Sequence, residues 1–291
     1  MKLALVVVAA CGGGDPATTI DAASCAHNAD TPVAVGTIDV GSSELSGLAI
    51  SRTIDNLLWT HGDSGGTNDI YGVNATNAAA LGTLHVKGAT NTDWEDIATA
   101  PCGGNSCIYV SDTGDNDLAR TDVSIYEVVE PTSQPIGTID VTATQYLITY
   151  PDGPHDMEAL FVDPRDGVSY GITKIKDKTA QVFRMPRVAG GAAQPAVQLG
   201  TLTIPASDPR VTAADMAVDA CSARILVRTY GPLYELRGTA SASVVDLIGG
   251  ALATMPVAAE AQGEAVAYSA DGHAYFTTSE GEDPVLSRVD D

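Results

Sequence analysis

The sequence predicts an all-β chain built from repeated four-stranded units, and three observations carry that prediction. Short runs of Val, Ile, Leu and Ala alternate with turns rich in Gly, Asp, Asn and Pro along all 291 residues. Bounded runs of that kind read as strands, and no long stretch shows clear helical periodicity. A strand of the form Gly-Thr-apolar-x-apolar also returns. It appears as GTIDV at 36–40, GTLHV at 82–86, GTIDV at 137–141 and GTLTI at 200–204, with SVVDLI at 243–248 as a degenerate fifth copy.

The first eleven residues, MKLALVVVAAC, read as a targeting segment. Lys2 is its basic start and Leu3 to Ala10 its apolar core, too short to span a bilayer. Val8-Ala9-Ala10-Cys11 has the small-residue pattern of a bacterial lipoprotein cleavage site. The expectation is therefore a signal peptide over 1–10, an acylated Cys11 with a flexible tether to residue 30, and a propeller over 31–291. Export to the outer membrane follows, because Gly12 and not Asp succeeds the cysteine. Export permits disulfides. Setting Cys11 aside leaves Cys25, Cys102, Cys107 and Cys221, enough for two bridges. Cys102 with Cys107, and Cys25 with Cys221, are the expected pairs. Their spacing does not resemble a zinc site.

From residue 33 the chain can be parsed into sets of strands. Apolar first strands are GLAIS (47–51), DIATA (96–100), EALFVD (158–163), DMAVDA (215–220) and EAVAYS (264–269). Each turns into a second: LLWTHG (57–62), CIYVSD (107–112), VSYGIT (168–173), ILVRTY (225–230) or HAYFTT (273–278). Third strands follow as DIYGVN (69–74), VSIYEV (123–128), QVFRMP (181–186), PLYELR (232–237) and VLSRVD (285–290). Four strands recurring every ~50–60 residues indicate a β-propeller. The parse favours five blades of four antiparallel strands, with six as the alternative. The chain starts with an outer strand (33–40) and ends one strand short, so the N-terminal strand should complete the last blade and close the ring.

That topology sends the starts of the first strands and the ends of the second strands to one end, here called the top. The richest stretch, Asn91 to Arg120, then brings the acidic knot Asp93-Trp94-Glu95-Asp96 beside Asp112-Thr113-Gly114-Asp115-Asn116. Aligning the first strands places Glu95, Glu158 and Glu264 in one column, with Asp96 and Asp215 one place further and Glu44 just before. Carboxylates converging on a channel mouth cannot all ionise without a partner. Hard oxygen donors select Ca²⁺ or Mg²⁺, and Ca²⁺ is the expected cofactor. Ends of second strands add His61, Asp63, Asp112, Asp115 and Asn116, with Arg120 beyond them, and Lys174 as candidate top-face ligand-binding residues. Arg228, Tyr230 and Glu280 are weaker candidates.

Two function classes are set aside. A net charge of −22 opposes nucleic-acid binding through phosphates. Gly62-Asp63-Ser64-Gly65-Gly66 matches a chymotrypsin-type nucleophile string, but only His27 and His61 precede Ser64 and neither stands in a matching context.

The strings ELSGLAIS, HGDSGG, DWEDIA, YVSDTGDN with a following Arg120, IYEVVEP, and HDMEALFVDP with Ile172-Thr173-Lys174 resemble bacterial propellers of the phytase-like and SdiA-regulated families. The resemblance covers roughly Glu44 to Arg184. It implies a propeller with an acidic, Ca²⁺-binding top face. Phosphate-ester catalysis would also want several cations beside the metal, and the top face offers Lys174, Arg120 and Arg228 among 37 acidic residues. The expected function is therefore a lipid-anchored module that binds a small molecule or protein through its top face. The alternative is a metal-assisted hydrolase of phosphate or other esters.

Overall fold

The computed structural model describes residues 27–291 apart from Ser43, Lys178 and Glu282. The expected signal peptide, Cys11, the tether up to residue 26 and Cys25 lie outside the described residues. Strand β1 (Val33–Thr37) comes first. A meander of β2 (Leu45–Ile50), β3 (Leu57–Gly62), β4 (Asp69–Asn74) and β5 (Ala80–Lys87) follows, then one of β6 (Trp94–Cys102), β7 (Asn105–Asp112), β8 (Val123–Val129) and β9 (Thr138–Thr149). The third contains β10 (Met157–Val162), β11 (Ser169–Thr173), β12 (Thr179–Arg184), the short β13 (Gln194–Pro195) and β14 (Val197–Thr203). The fourth has β15 (Val211–Val218), β16 (Ser222–Thr229), β17 (Leu233–Thr239), helix α1 (Val244–Ile248) and β18 (Ala253–Met255). Strands β19 (Gly263–Tyr268), β20 (Ala274–Ser279) and β21 (Val285–Asp290) end the chain, and β1 pairs with β21 to give the sheet order β1-β21-β20-β19.

The first strands β2, β6, β10, β15 and β19 contact one another in succession, and β19 contacts β2. The result is an all-β, β-propeller-like fold. Second strands such as β3 and β11 are buried on both faces, which is why they read as unbroken apolar runs and not as alternating ones. Side chains fill the space between neighbouring sheets. Trp59 and Ile70 meet Trp94, Ile97 and Ile108 between the first two, and Phe161 and Ile172 meet Met216 and Ile225 between the third and fourth.

Two features depart from the expected parse. SVVDLI is helix α1 and not a strand, and the outer strand of that sheet is β18. The reason is local. Ser243 caps the helix by accepting from the Asp246 amide, Asp246 returns a hydrogen bond from the Ser243 amide at 2.9 Å, and Val244, Leu247 and Ile248 bury one face. The second departure is a parallel ladder, Thr83↔Thr138 to Lys87↔Thr142, joining β5 to β9 so that the eight strands of the first two meanders form one sheet. Strand β13 adds a further parallel pairing to β9.

Cys102 and Cys107 are bridged across the β6–β7 turn, with Cα atoms 5.8 Å apart. Cys221 is disulfide-bonded, while its expected partner Cys25 lies outside the described residues. At that end of the fold His27 meets Asp219 and Asp291 at 3.4 and 3.1 Å, beside the buried Arg224.

Candidate cation and ligand site at the channel mouth

Every first strand carries a β-bulge near its top. In β6, Trp94 pairs with Asp112 and Asp96 with Ser111, so Glu95 is the extra residue. The extra residue is Glu158 in β10, Thr212 in β15 and Glu264 in β19, while in β2 the shift falls over Gly47 and Leu48. A bulge breaks the two-residue alternation and re-aims the side chain it inserts. The column of Glu95, Glu158 and Glu264 read from the sequence is therefore the column of bulged residues. In the fourth sheet Thr212 holds that position, and Asp215 lies three residues further along β15.

Glu95 is 3% exposed, and among the described residues no hydrogen-bond donor reaches its carboxylate. It lies with Asp63 and Asp93 in one group, and with Asp156 and Glu158 in a second. In each group one carboxylate oxygen per residue sits within 4.8 Å of the others. Burial first, then Glu158, Asp63 and Asp93, holds the Glu95 carboxyl well above the usual range. Burial likewise pushes Asp63 up to about 6 and Glu158 up to about 8, and raises Asp93 and Asp156. Lys174 offsets part of this charge, with Nζ 2.6 Å from Glu158 Oε1. Burial alone would lower the Lys174 ammonium, but Glu158 and Tyr230 beside it hold it above its ordinary value.

The backbone around these acids is fixed by its own polar groups. Asn91 donates to the carbonyls of Gly62 and Asp63 at 3.1 and 2.8 Å, which sets the Asp63 loop. The Asp93 amide donates to Asp112, and the Asp115 amide to Asp156 at 2.9 Å. Arg120 donates to Asp112 Oδ1 and to the Gly114 carbonyl, at 3.0 and 2.9 Å. Gly114 is required there. A Cβ at that position would stand 1.9 Å from Glu95 Oε1 and 2.5 Å from Asp93 Oδ2.

Asp96 and Asp215 do different work. Asp96 is fully buried and accepts from the Ile97, Leu160 and Ala214 amides at 2.9, 2.8 and 3.0 Å, so one carboxylate ties β6, β10 and β15 together across the channel. It also packs against Gly47 of β2, where a Cβ would come within 2.9 Å of Oδ1. Asp215 accepts from the Met216 and Tyr268 amides, each at 2.8 Å, and ties β15 to β19.

The remaining predicted residues separate as follows. Glu264 accepts from Gln262 at 2.7 Å, and its carboxyl is pushed up to about 7 by burial, with Glu280 and Asp63 adding to it. It is outside both four-ångström-scale acid groups. Glu44 is exposed. His61 is buried edge-on against Trp94, its imidazole lowered to about 4 by burial, and its Nε2 has no partner among the described residues. Asp115 accepts from the Ala119 and Arg120 amides at 2.8 and 2.9 Å.

Beside the acids lies a 740 Å³ cavity whose lining includes Asn116, Asp156, Lys174, Arg210 and Tyr230. Asp156 belongs to both the acid group and the cavity. Asp93 stands in the acidic knot read from sequence but outside the expected metal column, and Asp156 and the cavity residues Lys176 and Arg210 are not among the candidates read from sequence. For the two acids a signal was present, since Asp stands two places before the bulged Glu in both DWE and DME.

No family model matches the chain, and no curated protein matches it. Among solved structures, it resembles an exo-β-1,3-galactanase from Phanerochaete chrysosporium, solved with β-1,3-galactotriose, at TM-score 0.53 and 10% identity over 90% of this chain. A chain of the mitotic checkpoint complex aligns at TM-score 0.37 and 15% identity over 82% of this chain. This chain spans 64% and 62% of those two chains, and the first likeness bears on fold alone.

Proposed function

We propose that this chain is an exported, lipid-anchored five-bladed propeller that binds a ligand at its top face through a divalent cation. The five successive first strands and the β1–β21 pairing support the blade count and ring closure. The VAAC string supports the anchor at Cys11 and an outer-membrane location. One observation carries the cation: Glu95 is buried with no donor to its carboxylate among the described residues, and it is grouped with Asp63 and Asp93 and with Asp156 and Glu158. Carboxylates kept that close favour protons or a metal. The donor set is all oxygen, which suits Ca²⁺. Glu95 would hold the ion together with Asp63 and Asp93 or with Asp156 and Glu158, and the ion would supply charge for bridging an anionic ligand. Melting the protein in EDTA and in Ca²⁺ tests this. Saturation to 100 times the dissociation constant adds about 2.7 kcal/mol, so Ca²⁺ should raise the Tm by several degrees. Identical melting curves would refute it.

A second reading, metal-assisted ester hydrolysis, is favoured by one detail. The Glu158 carboxyl, pushed up to about 8, is bonded to Lys174 at the cavity wall, where a general acid or base near neutral pH would be useful. A screen of phosphate and carboxylate esters with and without Ca²⁺ separates the two. Turnover lost in Glu158→Gln favours the hydrolase, and no turnover on any ester favours the binding module.

A further inference from the structure

The cavity beside the acids inverts the character of the chain around it. Net charge is −22, yet Lys174, Lys176 and Arg210 line this cavity against two acids, Asp156 and Asp177. Three of the five lysines in the sequence fall within residues 174–178. Lys176 is exposed and has no ion pair among the described residues. Lys174 pairs with Glu158 and Arg210 with Asp208, so both are held in place and Lys176 carries the cavity's unpaired positive charge among the described residues. The Lys174 ammonium and the Arg210 guanidinium lie 5.5 and 4.3 Å from the centroid of the Tyr230 ring, which holds both by cation–π attraction.

The lining also has an apolar part, one residue of which is held in place at a cost. Leu118 lines the cavity, is 55% exposed, and sits at φ +51, a region that a leucine rarely adopts. Asp115 imposes that conformation. Its carbonyl accepts from the Leu118 amide at 2.9 Å, and its carboxylate takes the next two amides. Solvation alone would favour a polar residue or glycine here. A strained, exposed leucine lining the same cavity as Ile175 and Tyr230 is a surface for an apolar body.

We propose that this cavity binds a small amphiphilic anion, a carboxylate or phosphate group on an apolar body. The head sits among Lys174, Lys176 and Arg210, and the body against Leu118, Ile175 and Tyr230. This deepens the ligand-binding reading of the top face but does not require the cation. Calorimetric titration of the whole protein in EDTA therefore tests it separately from the effect of Ca²⁺ on melting. The probes are phenyl phosphate and benzoate, the head groups alone as inorganic phosphate and acetate, and benzyl alcohol as body alone. At least one aromatic anion should bind about tenfold more tightly than its own head group, the gain expected from partly burying a phenyl ring. Which of the two does so identifies the head. Leu118→Gly relieves the positive φ, so it should fold at least as stably while losing the tenfold preference. Lys176→Gln should weaken the aromatic anion and its head group alike. The proposal is overturned if neither aromatic anion outbinds its head group, if benzyl alcohol binds as well as they do, or if both variants bind as the native protein does.

Discussion

Glu95 and Asp96 are neighbours on one strand, both buried and both acidic, yet they sit in opposite chemical situations. Glu95, at the channel mouth, has acids for neighbours and no donor among the described residues. Asp96, in the channel itself, has three backbone amides from three strands. A carboxylate matched by amides acts as a fastener of the ring. One whose neighbours among the described residues are other carboxylates stabilises a proton or a cation beside it. The bulge at Glu95 contributes to the difference, because it takes Glu95 out of the strand's regular alternation and re-aims its side chain.

The largest effect should come from removing the fastener. Asp96→Ala strands three buried amides, at roughly 1–3 kcal/mol each, and should destabilise by more than about 3 kcal/mol in chemical denaturation. Glu95→Gln removes charge from a repelling group and should leave EDTA-treated protein as stable or more so. Equal losses in the two variants would erase the distinction. A smaller effect is expected from Gly114→Ala. Its methyl would displace the Glu95 and Asp93 carboxylates, destabilising by about 1–3 kcal/mol and weakening the response to Ca²⁺. A variant with native stability and native Ca²⁺ response would show that the acids are not held against that glycine.

The gentlest test is pH. Burial raises Asp63, Glu264 and Glu158 to about 6, 7 and 8 in the folded protein, above the ordinary carboxylate range near 4. The folded state therefore binds these protons more tightly than the unfolded chain. Their contribution is present at pH 4 and below, and is lost as pH rises through about 6 to 8. In EDTA the Tm should fall between pH 5 and 8.5, and saturating Ca²⁺ should flatten the slope. A Tm rising over that window in EDTA would contradict the assigned burial.

The sequence made much of this legible and some of it not. Strands β3, β4 and β21 fall where apolar runs between turns place them, and the Glu column coincides with the bulges. Asp215 was misaligned because apolar pattern alone cannot register a strand that begins earlier, at Val211. The segment at 243–248 carries a readable capping signal, Ser243 three residues before Asp246, and in the fold this local signal outweighs its likeness to a Gly-Thr strand. The parallel β5–β9 ladder and the convergence of Lys176 and Arg210 on one cavity are contacts between distant segments, and no local pattern announces them.

Calcium titration by calorimetry on the native protein and on Glu95→Gln tests the central claim most directly. The native protein should bind saturably, and the variant, which keeps the shape of the site but removes the charge of the carboxylate shared by both acid groups, should bind at least tenfold more weakly. Equal affinities in the two, or no binding in the native protein, would contradict a cation site at the channel mouth.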